Sequence, residues 1–310
     1  MRTLRVGACI ALLLFLVFMA RSQTPGPSQP PPLGTLVDVG GYRVHLYCIG
    51  QGTPTVVIVG EFSFDWQLVQ PEVAKFTRVC TLDLSGTAWS DPFKITPEKS
   101  TPACSDRVDE IHRLITKAPI EGPYVLVGFS VGGLWERIYA AEYPDNIPGM
   151  VIVDHAFQGG GAPPHPASAS GSLRGYSPPA LISQAPIAIG FEDDSNFSKL
   201  PQRDRELHTW ALSQHPIPVD YEMVADCFSA IERMTGGRPY PLGNMHLVVI
   251  STPNEARGYA ELQAKLLNLS HNSEHVVAWK STHMVPIDEP EVIVEAIREV
   301  VGGSKKPSAP

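Results

Sequence analysis

Short runs of apolar, mostly β-branched residues recur along the chain and predict buried strands. A continuous run of this length is typical of a strand that is covered on both faces in a parallel sheet. The segment 41–49 (GYRVHLYCI) alternates instead and predicts the edge strand of a hairpin. The buried runs are TVVIVG at 55–60, RVCTLDL at 78–84, PYVLVGFS at 123–130, MVIVD at 150–154, HLVVIS at 246–251 and HVVAW at 275–279.

Helical patterns fill most of the intervals between these runs. Their apolar residues recur at helical spacing, which predicts helices with one face turned to a core. Strands that alternate with helices indicate an α/β fold, a mostly parallel sheet flanked by helices on both faces. The predicted helices cover 71–76, 105–117, 133–142, 257–267 and 290–301.

The interval 155–245 breaks this alternation because it contains no buried strand. It begins with a loop rich in glycine and proline and continues with two amphipathic patterns at 202–213 and 221–235. An insertion between two strands, on the carboxyl side of a sheet, is placed to cover a site. We therefore expect an inserted helical lid between two parts of one core, 40–154 and 246–301.

The chain ends are expected to lie outside this core. Arg2 and Arg5 precede an apolar run at 6–20 and then Ala-Arg-Ser, a pattern that predicts a signal peptide over 1–22. An uncleaved membrane anchor is the alternative, and either would place the folded part outside the cytosol, secreted or periplasmic. Residues 23–39 are proline-rich and predict an extended tether, and 302–310 predict a disordered tail.

Composition narrows the class of protein. With 43% hydrophobic and 18% charged residues among 310, the chain is expected to be globular rather than disordered. The formal net charge is −8, and removal of residues 1–22, which carry three arginines and no acid, makes it −11. An acidic surface argues against nucleic acid or anionic lipid as partners.

The predicted mature chain keeps four cysteines, namely Cys48, Cys80, Cys104 and Cys227. In an oxidising compartment they allow two disulfides in any of three pairings, and the sequence does not choose among them. Buried free thiols are the alternative, above all for Cys80 in a predicted strand. No CxxC or Cys/His spacing typical of zinc is present, so we expect no metal site.

The most specific motif is Gly128-Phe129-Ser130-Val131-Gly132, which stands directly between a predicted strand and a predicted helix. A sharp turn in that context presents a serine hydroxyl at a helix N-terminus, and glycines two residues either side avoid collisions with neighbouring strands. The Val131 amide can then donate to an oxyanion. The motif indicates a nucleophile elbow with Ser130 as nucleophile.

A serine nucleophile needs a histidine base and an acid that orients it. His283 follows the last predicted strand and is expected at the same sheet edge as Ser130. Asp154 ends the strand MVIVD and is our preferred acid, while Glu255 in the next strand's loop is the rival. Asp83 also ends a strand but is interpreted as a structural turn residue.

With these motifs, the chain resembles the α/β-hydrolase fold superfamily from about Gly40 to Val301, and it is most similar to secreted bacterial esterase-like members. The resemblance implies an eight-stranded sheet, a serine–acid–histidine triad in that chain order and no cofactor. It also implies a small acyl substrate such as an ester. Some members place the acid after the sixth strand, which Asp154 matches.

The resemblance also implies a second oxyanion amide after the strand TVVIVG, from Glu61 or Phe62. Members usually carry His-Gly or a glycine-rich run there, whereas this chain carries an acid. A carboxylate that pointed inward would oppose an anionic intermediate. Ester hydrolysis is therefore the leading hypothesis. The alternatives are a catalytically impaired binding protein and another reaction of the same triad, such as C–C bond hydrolysis or perhydrolysis.

Overall fold

The computed structural model describes residues 29–60, 62–94, 101–155, 195–214, 221–236, 238–253 and 259–304. Apart from residues 29–31, all of these belong to one compact unit, Pro32–Pro310. The predicted signal peptide, 1–22, lies outside the described residues. In the part of the chain that the structure describes, no helix has the length and apolar character needed to cross a membrane.

A single sheet of eight strands forms the centre of the unit. Its spatial order is β1-β2-β4-β3-β5-β6-β7-β8; β1 and β2 run antiparallel to their neighbours and the other strands are parallel. This confirms the predicted α/β fold with a mostly parallel, eight-stranded sheet. The strands are β1 Thr35–Asp38, β2 Arg43–Ile49, β3 Thr55–Val59, β4 Val79–Asp83, β5 Tyr124–Phe129, β6 Gly149–Val153, β7 His246–Ser251 and β8 Ser273–Val277.

Helices cover both faces of this sheet. Short 3-10 turns occur at Ser63–Trp66, Pro144–Asn146, Ser195–Lys199 and Leu267–Leu269. The α-helices in the described residues are α1 Gln70–Val73, α2 Cys104–Lys117, α3 Gly132–Glu142, α4 Gln202–Gln214, α5 Tyr221–Thr235, α6 Tyr259–Leu266, α7 Val285–Asp288 and α8 Pro290–Ser304.

The alternation of side chains along each strand divides the core into two apolar layers. In β5, Leu126 packs in one layer, while Val125 and Val127 pack in the other. The first layer is completed by apolar residues of α2, α3 and α5, and the second by those of α1, α7 and α8. Burial on both faces explains why the central strands are continuous apolar runs.

Two predictions about the ends of the core were wrong. Strand β1 lies inside 23–39, the predicted tether, and pairs antiparallel with β2 through Leu36 and His45. As a result, β2 lies between β1 and β4 instead of at the edge. At the other end, α8 continues to Ser304, so the first residues of the predicted 302–310 tail are helical.

The described part of the 155–245 insertion contains the two predicted helices. Helix α5 packs against α2 and α3 in the first layer, and α4 packs against the 3-10 turn Ser63–Trp66 that follows β3. Residues 156–194 and 215–220 lie outside the described residues. A lid function for the insertion stays a prediction.

The four cysteines of the predicted mature chain form two disulfides, which is one of the three possible pairings. Cys48 and Cys80 stand opposite each other on β2 and β4 and form one disulfide. The second joins Cys104, the first residue of α2, to Cys227 in α5, across 123 positions of the chain. It therefore links the insertion covalently to the core.

We expect the double variant Cys104→Ser/Cys227→Ser to unfold more easily. A disulfide that closes a loop of this length lowers the entropy of the unfolded chain, which corresponds to about 5 kcal/mol of unfolding free energy. The measurement is denaturation in guanidinium chloride. The shorter loop of Cys48–Cys80 provides the comparison, with about 4 kcal/mol expected for Cys48→Ser/Cys80→Ser. Equal stability of wild type and the first variant would contradict a constraint between α2 and α5.

Candidate active site

Ser130 occupies a strained turn between β5 and α3. Its φ is +53°, in the left-handed region that non-glycine residues rarely adopt. The Ser130 amide donates to the carbonyl of Val153 on the neighbouring strand at 3.0 Å, which holds the turn against the sheet. Strain of this kind is found at functional sites when the surrounding structure enforces it. The sequence motif therefore has the local geometry of a nucleophile elbow.

The glycines of the motif are required by close contacts. A Cβ on residue 128 would lie 2.6 Å from the Glu136 carboxyl and equally close to the Gly133 Cα. A Cβ on residue 132 would lie 2.2 Å from the Val59 carbonyl oxygen. No side chain fits at either position, so the turn can approach β3 and α3 only where the chain has glycine.

Asp154 follows β6, next to the elbow, and is also strained, with φ +40°. Its carboxylate is buried, and its two oxygens have different partners. Oδ1 accepts from the Thr252 amide at 3.2 Å and from the Thr252 hydroxyl at 3.0 Å, while Oδ2 lies 2.5 Å from Nδ1 of His283. The carboxylate is thus held on one side by the loop after β7 and faces the histidine with the other.

His283 lies in the loop after β8, and its side chain is 41% exposed. Its ring packs on Phe129, the residue before Ser130, with ring centroids 4.8 Å apart. Because Nδ1 faces the Asp154 carboxylate, the neutral ring carries its proton there, and Nε2 keeps the free lone pair. The structure thus brings Asp154 and His283 together at the sheet edge where Ser130 lies.

Two further carboxylates hold the loop that carries His283. Asp288 in α7 accepts from the amide and hydroxyl of Thr282 at 2.8 and 2.7 Å. Glu289 accepts from the Ser281 hydroxyl at 3.1 Å and from the amide of Lys280. The three residues directly before His283 are therefore held to the end of α7 and the residue after it, and these bonds position the imidazole.

The structure describes only one of the two predicted oxyanion donors. Val131 immediately precedes α3, where the first amides of a helix have no partner within the helix. Glu61 lies outside the described residues. The alternative donor, the Phe62 amide, already donates to Oδ2 of Asp65 at 3.3 Å. This bond leaves Glu61 as the better candidate of the two.

The rival acid, Glu255, also lies outside the described residues, whereas Asp154 has the described contact with His283. Among the described residues, no group of three or more His, Cys, Asp or Glu side chains could hold a metal ion.

Comparison with known proteins identifies the family of this chain. The family model of the alpha/beta hydrolase family matches residues 40–296. The chain belongs to the alpha/beta hydrolase family. Hydrolase activity is the function that this membership supports.

Relatives and solved structures extend the likeness to most of the chain. The uncharacterized protein YqjL of Bacillus subtilis is 22% identical over 84% of this chain and 89% of its own. The 2-hydroxymuconate semialdehyde hydrolase of Pseudomonas sp. is 29% identical over 42% of this chain and 46% of its own. A 31% identical protein of Schizosaccharomyces pombe, C23C11.06c, is matched over only 28% of its length.

Among solved structures, a thermophilic esterase from Thermogutta terrifontis has a TM-score of 0.61 at 20% identity, covering 88% of this chain and 99% of that one. A meta-cleavage product hydrolase from Pseudomonas fluorescens has a TM-score of 0.56 at 18% identity, covering 86% and 98%. At these identities the likeness concerns the fold.

In this alpha/beta hydrolase, an ionisable side chain lies directly behind the elbow. Glu136 of α3 is fully buried, and its carboxyl fills the space left by the missing side chain of Gly128. Burial raises the pKa of Glu136 well above the usual 4.5, and the amide of Val127 opposes this only in part. At neutral pH, this favours the uncharged carboxyl as a packing group under the turn.

The next residue, Arg137, is also largely withdrawn from water. Its guanidinium lies 3.2 Å from Nε2 of His155, the residue after Asp154. Burial lowers the pKa of Arg137 to about 10. His155 in turn packs against Gly133, so α3 and the loop after β6 contact each other behind the two strained residues.

Sequence reasoning did not identify Thr252, Glu136, Asp288 or Glu289 as parts of the site. Thr252 is a hydroxyl residue at a strand end, a common position without a specific signal. Glu136 had one indication, an acid that shares its helix face with Gly133, Tyr139 and Ala140, which lie three or four residues from it and are buried. Their contribution depends on contacts between segments that are distant in the chain.

Glu136→Gln is expected to change how stability depends on pH. A carboxyl with a raised folded-state pKa stabilises the fold below the unfolded-state value, and this contribution is lost as pH rises above about 4.5. The wild-type unfolding free energy should fall by up to about 1.4 kcal/mol per pH unit until the folded-state pKa is reached. Glutamine, which has no such proton, should remove that slope.

The measurement is urea denaturation between pH 4.5 and pH 8, with exposed Glu291→Gln as the control. The control should follow the wild-type curve, and Glu136→Gln should diverge from it steadily as pH rises. Parallel curves for all three proteins would show that Glu136 is not held uncharged behind the elbow.

Proposed function

We propose that this protein hydrolyses a carboxylic ester or a related acyl compound through an acyl-enzyme intermediate. The observation that carries the proposal is the Asp154–His283 contact at the edge where β5 presents Ser130 in a strained turn. A buried carboxylate that fixes one ring nitrogen leaves the other nitrogen to act as general base.

In the proposed reaction, Ser130 Oγ attacks the acyl carbon while Nε2 of His283 takes the hydroxyl proton. The tetrahedral intermediate collapses as His283 gives that proton to the leaving alcohol, and the acyl group stays on Ser130. Water then attacks the acyl-enzyme with His283 again as base, and the carboxylic acid is released. Asp154 keeps its charge throughout and stabilises the imidazolium in both halves.

The negative oxygen of each tetrahedral intermediate needs two donors. We assign these to the backbone amides of Val131 and Glu61. The first belongs to the N-terminus of α3, whose positive dipole end favours an anion. For the second, the occupied amide of Phe62 supports Glu61. Since the donor is a backbone group, the Glu61 side chain is compatible with the role when it points away.

Another reaction of the same residues is a second candidate. The 29% identical relative is a 2-hydroxymuconate semialdehyde hydrolase, and a structural neighbour is a meta-cleavage product hydrolase. These names favour testing C–C bond hydrolysis beside ester hydrolysis. Turnover of 2-hydroxymuconate semialdehyde in preference to a panel of p-nitrophenyl esters would make it the better description.

We also propose that the protein acts outside the cytosol on a small-molecule substrate, without nucleic acid as partner. Two disulfides among the described residues support an oxidising compartment. The predicted signal segment would direct the chain there, and a membrane would be a partner only if that segment stayed uncleaved. Fractionation of producing cells tests this location.

Ser130 is expected to be the residue that reacts with a fluorophosphonate probe. An activated serine hydroxyl displaces fluoride from the probe and becomes phosphonylated, whereas an ordinary serine does not react. Wild type should be labelled on the peptide that contains Ser130, and Ser130→Ala should be unlabelled, as judged by mass spectrometry. Folded wild type without a label would instead favour a catalytically impaired binding protein.

The choice of acid can be separated from the choice of nucleophile. Asp154→Asn should lower kcat for an ester by about 10³–10⁴-fold, because the neutral amide no longer fixes the tautomer or stabilises the imidazolium. Glu255→Gln serves as the matched control and should keep wild-type kcat within about twofold. Loss of turnover in Glu255→Gln with an active Asp154→Asn would reverse the assignment.

A further inference from the structure

We propose that His208 of the inserted helix α4 is a positioning residue for the turn after β3, so that the insertion helps to set the oxyanion site. The inference rests on the proposed function, since an oxyanion site requires acyl chemistry. It is carried by a buried hydrogen bond between His208 and Asp65, which joins the insertion to this turn.

The turn begins beside the predicted second donor. Gly60 and Phe62 flank Glu61 in the chain, and both are held from within the turn. The Gly60 carbonyl accepts from the Trp66 indole at 2.8 Å, and the Phe62 amide donates to the Asp65 carboxylate at 3.3 Å. The orientation of Asp65 therefore determines how the turn meets the end of β3.

The core holds this turn from one side. Asp83 at the end of β4 accepts from the Ser63 amide at 2.7 Å and from the Ser63 hydroxyl at 2.9 Å. His45 lies 2.7 Å from the same carboxylate, and its other ring nitrogen accepts from the Gly34 amide at 2.9 Å. His45 is thus a neutral bridge, which agrees with the structural interpretation of Asp83.

The insertion holds the turn from the opposite side. Nδ1 of His208 lies 2.8 Å from Oδ1 of Asp65, and both side chains are 1% exposed. Phe62, Phe64 and Phe197 surround the imidazole, with ring centroids 4.4 to 6.4 Å away. Asp65 therefore has two ligands, the Phe62 amide within the turn and His208 on α4.

His208 opposes the effect of burial on the Asp65 carboxyl. Burial raises the pKa of Asp65, and His208 provides the largest opposing influence, ahead of the Phe62 amide. Without a donor from α4, Oδ1 of Asp65 would lose its bond to His208, and the carboxyl would be free to rotate away from the Phe62 amide. A displacement of about 1 Å at the turn is enough to lower a catalytic rate about 100-fold.

Attachment of α4 does not require this hydrogen bond. Leu207 and Ala211 of α4 already pack with Phe62, Phe64 and Trp89 in an apolar cluster. Because a buried ion pair contributes little net stability compared with apolar residues of similar size, docking alone would not explain a histidine here. The contact of His208 with Asp65 agrees instead with a role in positioning the turn.

The test compares three substitutions on α4 in the full chain. His208→Leu removes the donor and keeps the volume, His208→Asn keeps an amide donor near the position of Nδ1, and Leu207→Ala weakens docking without touching Asp65. We expect His208→Leu to lower kcat for a p-nitrophenyl ester about 10- to 100-fold, with KM within about twofold. His208→Asn should restore most of kcat, and Leu207→Ala should lower the melting temperature but keep kcat.

A boronic acid inhibitor gives an independent measurement, because its tetrahedral serine adduct occupies the oxyanion site. Its affinity should fall in parallel with kcat in His208→Leu. Should that variant fail to fold, Asp65→Asn, which removes the charge and keeps the volume, should give the same loss. Unchanged kcat in folded His208→Leu or folded Asp65→Asn would overturn the inference, as would equal losses in Leu207→Ala and His208→Leu. Absence of fluorophosphonate labelling in wild type would instead overturn the proposed function itself.

Discussion

The hydrogen bond between Asp154 and His283 joins loops that lie 129 positions apart in the chain. It can form because parallel strands bring their carboxyl ends to one edge of the sheet. Ser130 and Asp154 end neighbouring strands, and both have positive φ. Their amides donate to the carbonyls of Val153 and Ile250, each on the next strand. The sheet thus enforces the backbone strain that presents the serine and the carboxylate.

Several ionisable groups are buried around this edge of the sheet. Glu136 packs under the elbow, and the Asp65–His208 pair holds the turn after β3. Isolated charges of this kind are unfavourable in an apolar interior, so each must be neutralised, paired or hydrogen-bonded. The two apolar layers on either side of the sheet supply the stability that allows such groups to be kept.

The sequence-based predictions succeeded where the pattern of neighbouring residues was clear. The buried strands were recognised because both faces are apolar, and the elbow because its glycines stand between a strand and a helix. Strand β1 was not predicted because it has only four residues and is only partly buried. Four residues are too few to show an alternating pattern. Strand β8 begins and ends two residues before the predicted run, since polar Ser273 and Glu274 begin the strand and two apolar residues follow its end.

Local patterns of residues were therefore sufficient for the fold class, for most strands and helices, and for Ser130, His283 and Asp154 as candidates, because each depends on near neighbours in the chain. The cysteine pairing, the contact of Asp154 with His283 and the support from Thr252, Glu136 and His208 required the folded chain. These features arise where segments far apart in sequence meet, and spacing along the chain carries no information about which side chains will share a buried volume.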